Sequence, residues 1–586
     1  MKLMLTLPKI LLLLTQAPAS FAVLSLITIA DDVASEVKDN NVLDWSNHDV
    51  FKTKNLDGDV TMNKNGKGLR NFRDLSESIL NDDLIPCNSI IDVMPLATVQ
   101  AMVTGAFSSK FMAYTAGPPL VEAQLIIGER VPLMEHDVQM MKVCGSCESE
   151  GLNGYGCAAD DYGYDTQHSG VLLLPVNIDE ESSLVEASII DTADELQAWI
   201  GMRSIVVSPK DSAVILYTNG ASVLEFAMFA ASMGLVSILP HLTGFGESAK
   251  AGSGGVPLVP SIVDKKAKTT ATLPLYTKAK SIVDEMSGGI TTVGNAAYFM
   301  GYSEGGNSAI GAADGFEKNG ITPVKVMAGS APLMIRSTTV MSIIQSLLAA
   351  ASDPSSVDPF GILYMALVGV AFSDTRPGPA NFGQGQPFLN EESTQGYLAL
   401  FTDKDAPSIG AESKEAYLAY LQTNYLQLIS NPNFLSTNFL NFFANAIGNG
   451  DPDPCVNVPM EQQVVFEVDK ICATLSENDL TDVVRNSSYE IELCQAEDDT
   501  LIVPESVPDA SKLKYSVPGN HPEGNIPCTT KLFYGTIFEK PKIREENNSS
   551  PTQSPNITKA PKSDKKTKAP KAPKSAKISK APKAPK

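Results

Sequence analysis

The chain has 586 residues, of which 43% are hydrophobic and 19% charged, a balance that belongs to a folded globular protein and excludes a wholly disordered one. Its formal net charge is -22, and the eleven lysines and single aspartate of residues 559–586 contribute +10 of it, leaving -32 on the remainder. An acidic body repels phosphate, which sets nucleic acid aside as a partner.

The N-terminus places Lys2 and Lys9 before a short apolar centre, Ile10 to Leu14, and a small-x-small site at Ser20-Phe21-Ala22. That pattern predicts a secretory leader over residues 1–22, cut after Ala22, and a secreted, extracellular protein. A membrane anchor is the competing reading. The apolar run is too short for one, and no later stretch reaches eighteen apolar residues; Gly361 to Phe372 comes closest and suits a buried helix. An integral membrane protein is therefore not expected. Residues 23–95 read as an acidic N-terminal extension, rich in Asn and Asp.

Eight cysteines, Cys87, Cys144, Cys147, Cys157, Cys455, Cys472, Cys494 and Cys528, fit an oxidising compartment and predict disulfides. Cys144-Gly-Ser-Cys147 also has the spacing of half a zinc site, but no second such pair and no His pair follows it. Disulfides are preferred, and no metal or cofactor is implied. Sequons at Asn486, Asn547, Asn548 and Asn556 fit a glycosylated surface.

Residues 96–540 are expected to form one folded domain. His168 to Asn177 reads as a buried strand. From 212 onward, apolar runs alternate with helical segments, the rhythm of a mostly parallel sheet with helices on both faces. Ala213 to Tyr217, Leu235 to Leu239 and Ala297 to Met300 are the clearest strands. Residues from about 335 to 450 are helical in pattern and rich in Phe, Leu and Asn.

Gly301-Tyr302-Ser303-Glu304-Gly305 has the form G-x-S-x-G. In that motif a serine sits on a strained strand-to-helix turn, where side chains two positions away on either side would collide. The apolar run before it and the helix-compatible run after it supply the context that a chance Gly-Ser loop lacks. A serine needs a base, and the base needs a carboxylate behind it. His521 is the only histidine downstream of Ser303, so it must be the base of any such triad. Between them an acidic turn offers Asp498 and Asp499, with Asp499 preferred. The backbone amide of Glu304 would be one oxyanion-hole donor. Tyr217-Thr-Asn-Gly-Ala221 is placed to give the other, from Ala221. Cys494 and Cys528 flank the Asp and His loops, and a bridge between them would pin both.

Together these segments resemble the secreted lipase and esterase branch of the α/β-hydrolases. The resemblance rests on SGVLLLPVN (169–177), YTNGA (217–221), GLVSILPHLTGFGES (234–248), LPLYTKAKSIVDEM (273–286) and GYSEGG (301–306). It implies an α/β-hydrolase fold, with residues from about 335 to 450 as a helical cap over the site, and a small-molecule ester or lipid substrate. Three positions depart from the pattern: Asn219 stands where that group carries histidine, His241 where it carries aspartate, and Glu304 where it carries glutamine. None of the three is a triad position.

Residues 541–586 are Lys-, Pro-, Ala- and Ser-rich and cannot bury a core. Lysine recurs at every third position from 559 to 586, and proline at 561, 570, 573, 582 and 585 favours polyproline II, which has three residues per turn. The ammonium groups would then share one side, suited to a polyanionic or mineral surface. The spacing resembles the K-x-x-K clusters of diatom silica-associated proteins, which implies a silica surface as partner. A solvated tail without a partner is the plainer alternative. Two classes of function follow for the whole chain: a serine esterase or lipase, with a secreted peptidase sharing its triad, or a catalytically silent hydrolase-fold protein of wall assembly or adhesion.

Overall fold

A computed structural model describes the chain from residue 85 to 537, apart from internal stretches at 110–117, 147–166, 179–186, 203–222, 249–261 and 457–465, nearly all of 351–434, and a few single positions. The expected leader, most of the acidic extension, the strand at Ala213 to Tyr217, most of the cap and the lysine-rich tail lie outside the described residues.

The described strands form one mixed sheet in the order β1-β2-β3-β6-β5-β7-β8-β9-β10, with β4 (Ala187–Ile189) paired to β3. On one side, β1 (Ser89–Met94), β2 (Asp137–Ser146) and β3 (Gln167–Ile178) are antiparallel neighbours, and β3 is also antiparallel to β6 (Val236–Pro240). From there the ladder is parallel through β5 (Leu196–Met202), β7 (Val293–Tyr302), β8 (Thr322–Gly329), β9 (Glu490–Ala496) and β10 (Leu513–Val517). A parallel sheet is stable only with both faces covered, and its central strands read as unbroken apolar runs for that reason. Residues of β3 divide by parity: Leu172, Leu174 and Val176 enter one core, while Val171 and Leu173 enter the other.

Helices cover the two faces accordingly. α4 (Lys265–Ser287) and α5 (Glu304–Lys318) pack on the first core through Leu275, Tyr276, Ala313 and Phe316. On the other face lie α1 (Leu96–Ser109), α2 (Pro118–Arg130), α3 (Val223–Ser232) and α10 (His521–Ile537), with Phe226, Phe229, Phe533 and Tyr534 in mutual aromatic contact. Strand order, parallel connections and two helical layers make this the α/β-hydrolase fold.

Two findings differ from the sequence reading. The strand between β6 and β7 is Leu196–Met202, a short run that begins just after acidic Glu195 and so lacks the long apolar signature of its neighbours. The sheet also begins at Ser89, inside the stretch assigned to the extension, where Cys87 is bridged to Cys144 of β2. Cys455 pairs with Cys472 and Cys494 with Cys528, whereas Cys147 and Cys157 lie outside the described residues. Where the cap was expected, α6 (Val340–Ala350) follows a π-helical turn at Ile335–Thr339, and α7 (Thr437–Asn449) packs against α6. α8 (Phe466–Asn478) and α9 (Thr481–Asn486) then lead into β9.

Candidate active site

In open parallel sheets functional groups gather at the carboxyl ends of the strands. β7 ends at Tyr302, and Ser303 follows with φ 58° and ψ -127° before α5 begins at Glu304. A positive φ is costly for any residue with a β-carbon, and this one persists because its surroundings fix it. The Ser303 amide donates to the Gly329 carbonyl at the end of β8 (2.7 Å). Gly301 is required by close approach: a β-carbon there would lie 2.1 Å from the Gly305 carbonyl oxygen. A β-carbon on Gly306 would meet that of Ala331 at 2.8 Å, so the elbow's tightness extends one glycine further than the pentapeptide.

The other two sequence-predicted residues arrive at this corner from separate strands. Asp499 sits in the turn after β9, and His521 opens α10 just after β10. The imidazole Nε2 lies 2.8 Å from Ser303 Oγ, and Nδ1 lies 2.7 Å from Asp499 Oδ2. Asp499 is buried, and its second oxygen accepts from the amides of Leu501 (3.0 Å) and Ile502 (2.7 Å). Those two bonds hold the carboxylate in one orientation toward the ring. Asp498 is exposed, and its amide donates to the Gly519 carbonyl (3.1 Å), tying the Asp turn to the His loop.

Sequence reasoning missed the groups that fasten these loops to one another. The Tyr302 hydroxyl donates to the backbone carbonyl of His521 (2.6 Å), and its ring lies 5.3 Å from the imidazole. Burial pushes the Tyr302 phenol well above the ordinary tyrosine range, so it stays a neutral donor. Ser330 Oγ accepts the Ala496 amide (3.1 Å), joining β8 to the start of the Asp turn. Gln495 donates to the Ile502 carbonyl (2.8 Å) across that turn. The Cys494–Cys528 disulfide ties β9 to α10, a pairing suggested by the positions of the two cysteines in the chain. Tyr302 lay within the recognised motif, yet nothing local marks its partner 219 residues away.

Glu304 opens α5, so its amide is one of the helix's first four, which have no intrahelical acceptor. Its side chain is fully buried and meets Lys268 Nζ at 2.5 Å. Ala221 lies outside the described residues. Among the described residues, one group of metal-ligand types converges, Cys87, Cys144 and Glu247. Both its sulfurs are committed to a disulfide and offer no thiolate.

No protein-family model and no curated protein sequence matches the chain. Solved structures do. A protein described as a hydrolase from Legionella pneumophila superposes with a TM-score of 0.48 at 13% identity, covering 77% of this chain and 96% of its own. The rice cell wall degrading esterase LipA from Xanthomonas oryzae gives 0.45 at 13% identity, over 77% and 94%. Candida antarctica lipase A in its closed state gives 0.34 at 9% identity, over 68% and 75%. At such identity and superposition the likeness carries nothing about substrate or reaction.

Proposed function

We propose that the chain is a serine hydrolase that cleaves carboxylic esters through an acyl-enzyme on Ser303. The observation that carries this reading is the continuous line of hydrogen-bond distances from Ser303 Oγ through His521 to Asp499. With Nδ1–H directed at the buried carboxylate, the Nε2 lone pair faces the hydroxyl and serves as its base. Ser303 Oγ attacks the ester carbonyl carbon as its proton passes to Nε2. The charge that develops on the carbonyl oxygen is met by the amide of Glu304 and that of Ala221. Collapse expels the alcohol, which takes the proton from the imidazolium, and a water activated by the same nitrogen then releases the acid. An apolar acyl substrate, rather than a peptide, suits the Phe- and Leu-rich composition of residues 335–450.

Secretion is part of the proposal, with residues 1–22 as leader, a catalytic domain that begins with β1 at Ser89 and runs to 540, and 541–586 as a tail. The N-terminal pattern and the three disulfides among the described residues favour it. The lysine repeat is assigned a polyanionic or silica surface, without a part in hydrolysis. Deleting residues 559–586 should weaken adsorption to silica and leave hydrolysis of a small soluble ester intact; unchanged adsorption removes that assignment.

The test of the activity is labelling by a fluorophosphonate probe, followed by a screen of p-nitrophenyl esters of graded acyl length. Labelling and turnover lost in Ser303→Ala support the reading. Folded, secreted protein that neither labels nor turns over would instead be the silent scaffold.

A further inference from the structure

A buried ion pair lies directly beneath the nucleophile elbow. Glu304 and Lys268 have no side-chain exposure and approach to 2.5 Å. The same carboxylate oxygen, Oε1, accepts the Val263 amide (2.9 Å) and lies 3.5 Å from Ser308 Oγ. Val263 is itself a buried β-branched residue at φ 47°, a conformation such residues rarely adopt. Two strained backbones, at 263 and 303, are therefore joined through one side chain. Lys268 stands on α4, which Asp264 caps by accepting from the amides of Lys266 and Ala267. The carboxylate thus fastens the residue after the nucleophile to the start of the neighbouring helix.

Stability alone does not account for such a pair. Removing two charges from water costs several kcal/mol per ion, and apolar replacements of similar volume are often as stable or more so. A second contact between the same helices, Lys265 with Asp314 at 3.0 Å, is partly exposed and of the kind that adds little. What distinguishes the buried pair is its location. On the hydrolase reading, the residue whose carboxylate is held is also the residue whose amide meets the charge formed on the carbonyl oxygen. An error of about 1 Å in such a donor is enough to lower a rate about 100-fold.

We infer that the Glu304–Lys268 pair is a positioning device: it fixes the direction of the residue-304 amide, and so sets the strength of the oxyanion hole. The inference rests on the hydrolase reading above. Glu304 and Lys268 are positioning residues, and their side chains touch neither substrate nor the reacting atoms.

The test is the neutral double variant Glu304→Gln/Lys268→Met, compared with the parent in thermal midpoint, kcat, KM and rate of fluorophosphonate labelling. The double variant should fold with a midpoint close to the parent's. Its kcat and labelling rate should fall about 10- to 100-fold, with KM changed by less than about threefold. A folded double variant with parental kcat overturns the inference. Should it not fold, Glu304→Gln alone keeps the acceptor for the Val263 amide and takes the same measurements, parental kcat again overturning it. Failure of both to fold makes the pair a stability element and equally overturns it. A parent that never labels refutes the hydrolase reading instead, so the two failures are distinct.

Discussion

The conformation of Ser303 makes a prediction about stability that is independent of substrate. At φ 58° and ψ -127° a side chain is strained, at a cost of about 1–3 kcal/mol. Glycine adopts the same angles freely. Ser303→Ala and Ser303→Gly both delete the hydroxyl and its 2.8 Å contact with His521, so the difference between them isolates the backbone. Glycine gains the strain energy but loses about 0.4–1 kcal/mol through the greater freedom of its unfolded chain. On central values the net should favour Ser303→Gly by about 1.3 kcal/mol. In a domain of this size that is a rise of roughly 1.5 °C in the midpoint of thermal unfolding over Ser303→Ala. Differential scanning calorimetry of the two variants, side by side at one scan rate, reads it directly. A glycine variant that melts with or below the alanine variant would mean that the elbow holds no strain, and the account of why G-x-S-x-G is needed here would be wrong.

Three further outcomes follow from distances already given. Tyr302→Phe keeps the ring but removes the donor to the His521 carbonyl; about 1 kcal/mol of stability and a several-fold part of kcat should be lost, with KM little changed, and an unaltered kcat would deny the phenol a positioning role. Replacing Cys494 and Cys528 together by alanine opens a bridge across a sequence separation of 34, worth about 4 kcal/mol in the chain-entropy picture; residual activity after heating should fall at a lower temperature, whereas equal heat resistance would show that the bridge is dispensable. His168 is fully buried and neither ring nitrogen has a hydrogen-bond partner among the described residues; burial lowers its pKa to about 4. The unfolded chain takes up this proton near pH 6.5 and the folded chain only near 4, so stability present above 6.5 is lost as pH falls through that window, by about 3 kcal/mol in all. His168→Leu should remove that component, and denaturant titrations at pH 7 and pH 4.5 should show a smaller acid loss than in the parent; identical losses would refute it.

How much of this was legible in the sequence depended on whether the signal was local. The elbow was readable because a strained turn demands glycine at fixed spacing, and Gly301 shows the collision that enforces it. His521 followed by elimination, since no other histidine lies downstream of Ser303. The acid remained a pair in the sequence, because two adjacent aspartates in a turn differ only in where the backbone points them. In three dimensions Asp499 faces the ring and Asp498 faces outward. Strands β3, β6 and β7 announced themselves as apolar runs, but β5 did not, being a brief run next to acidic residues. Lys268 was the least legible. Its partner is 36 positions along the chain, and an amphipathic lysine in a helix ordinarily reads as surface.

The three residues of the proposed triad follow three different strands, and what aligns them is largely backbone. Ser303 N–H binds the end of β8, Ser330 N–H binds the Cys494 carbonyl (2.8 Å), Glu497 N–H binds the Val517 carbonyl (2.8 Å), and Asp498 N–H binds Gly519. Each bond crosses from one strand's carboxyl end to its neighbour's, so the edge of the sheet is laced from β7 to β10 without relying on long, mobile side chains. Groups held this way lose little freedom when a substrate arrives, and preorganisation of that kind acts on the transition state rather than on the ground state. Substitutions within the lacing should therefore appear in kcat, while those that alter which acyl group is accepted should appear in KM and lie elsewhere in the chain. A lacing substitution that raised KM and spared kcat would place the substrate against these loops and reverse that division.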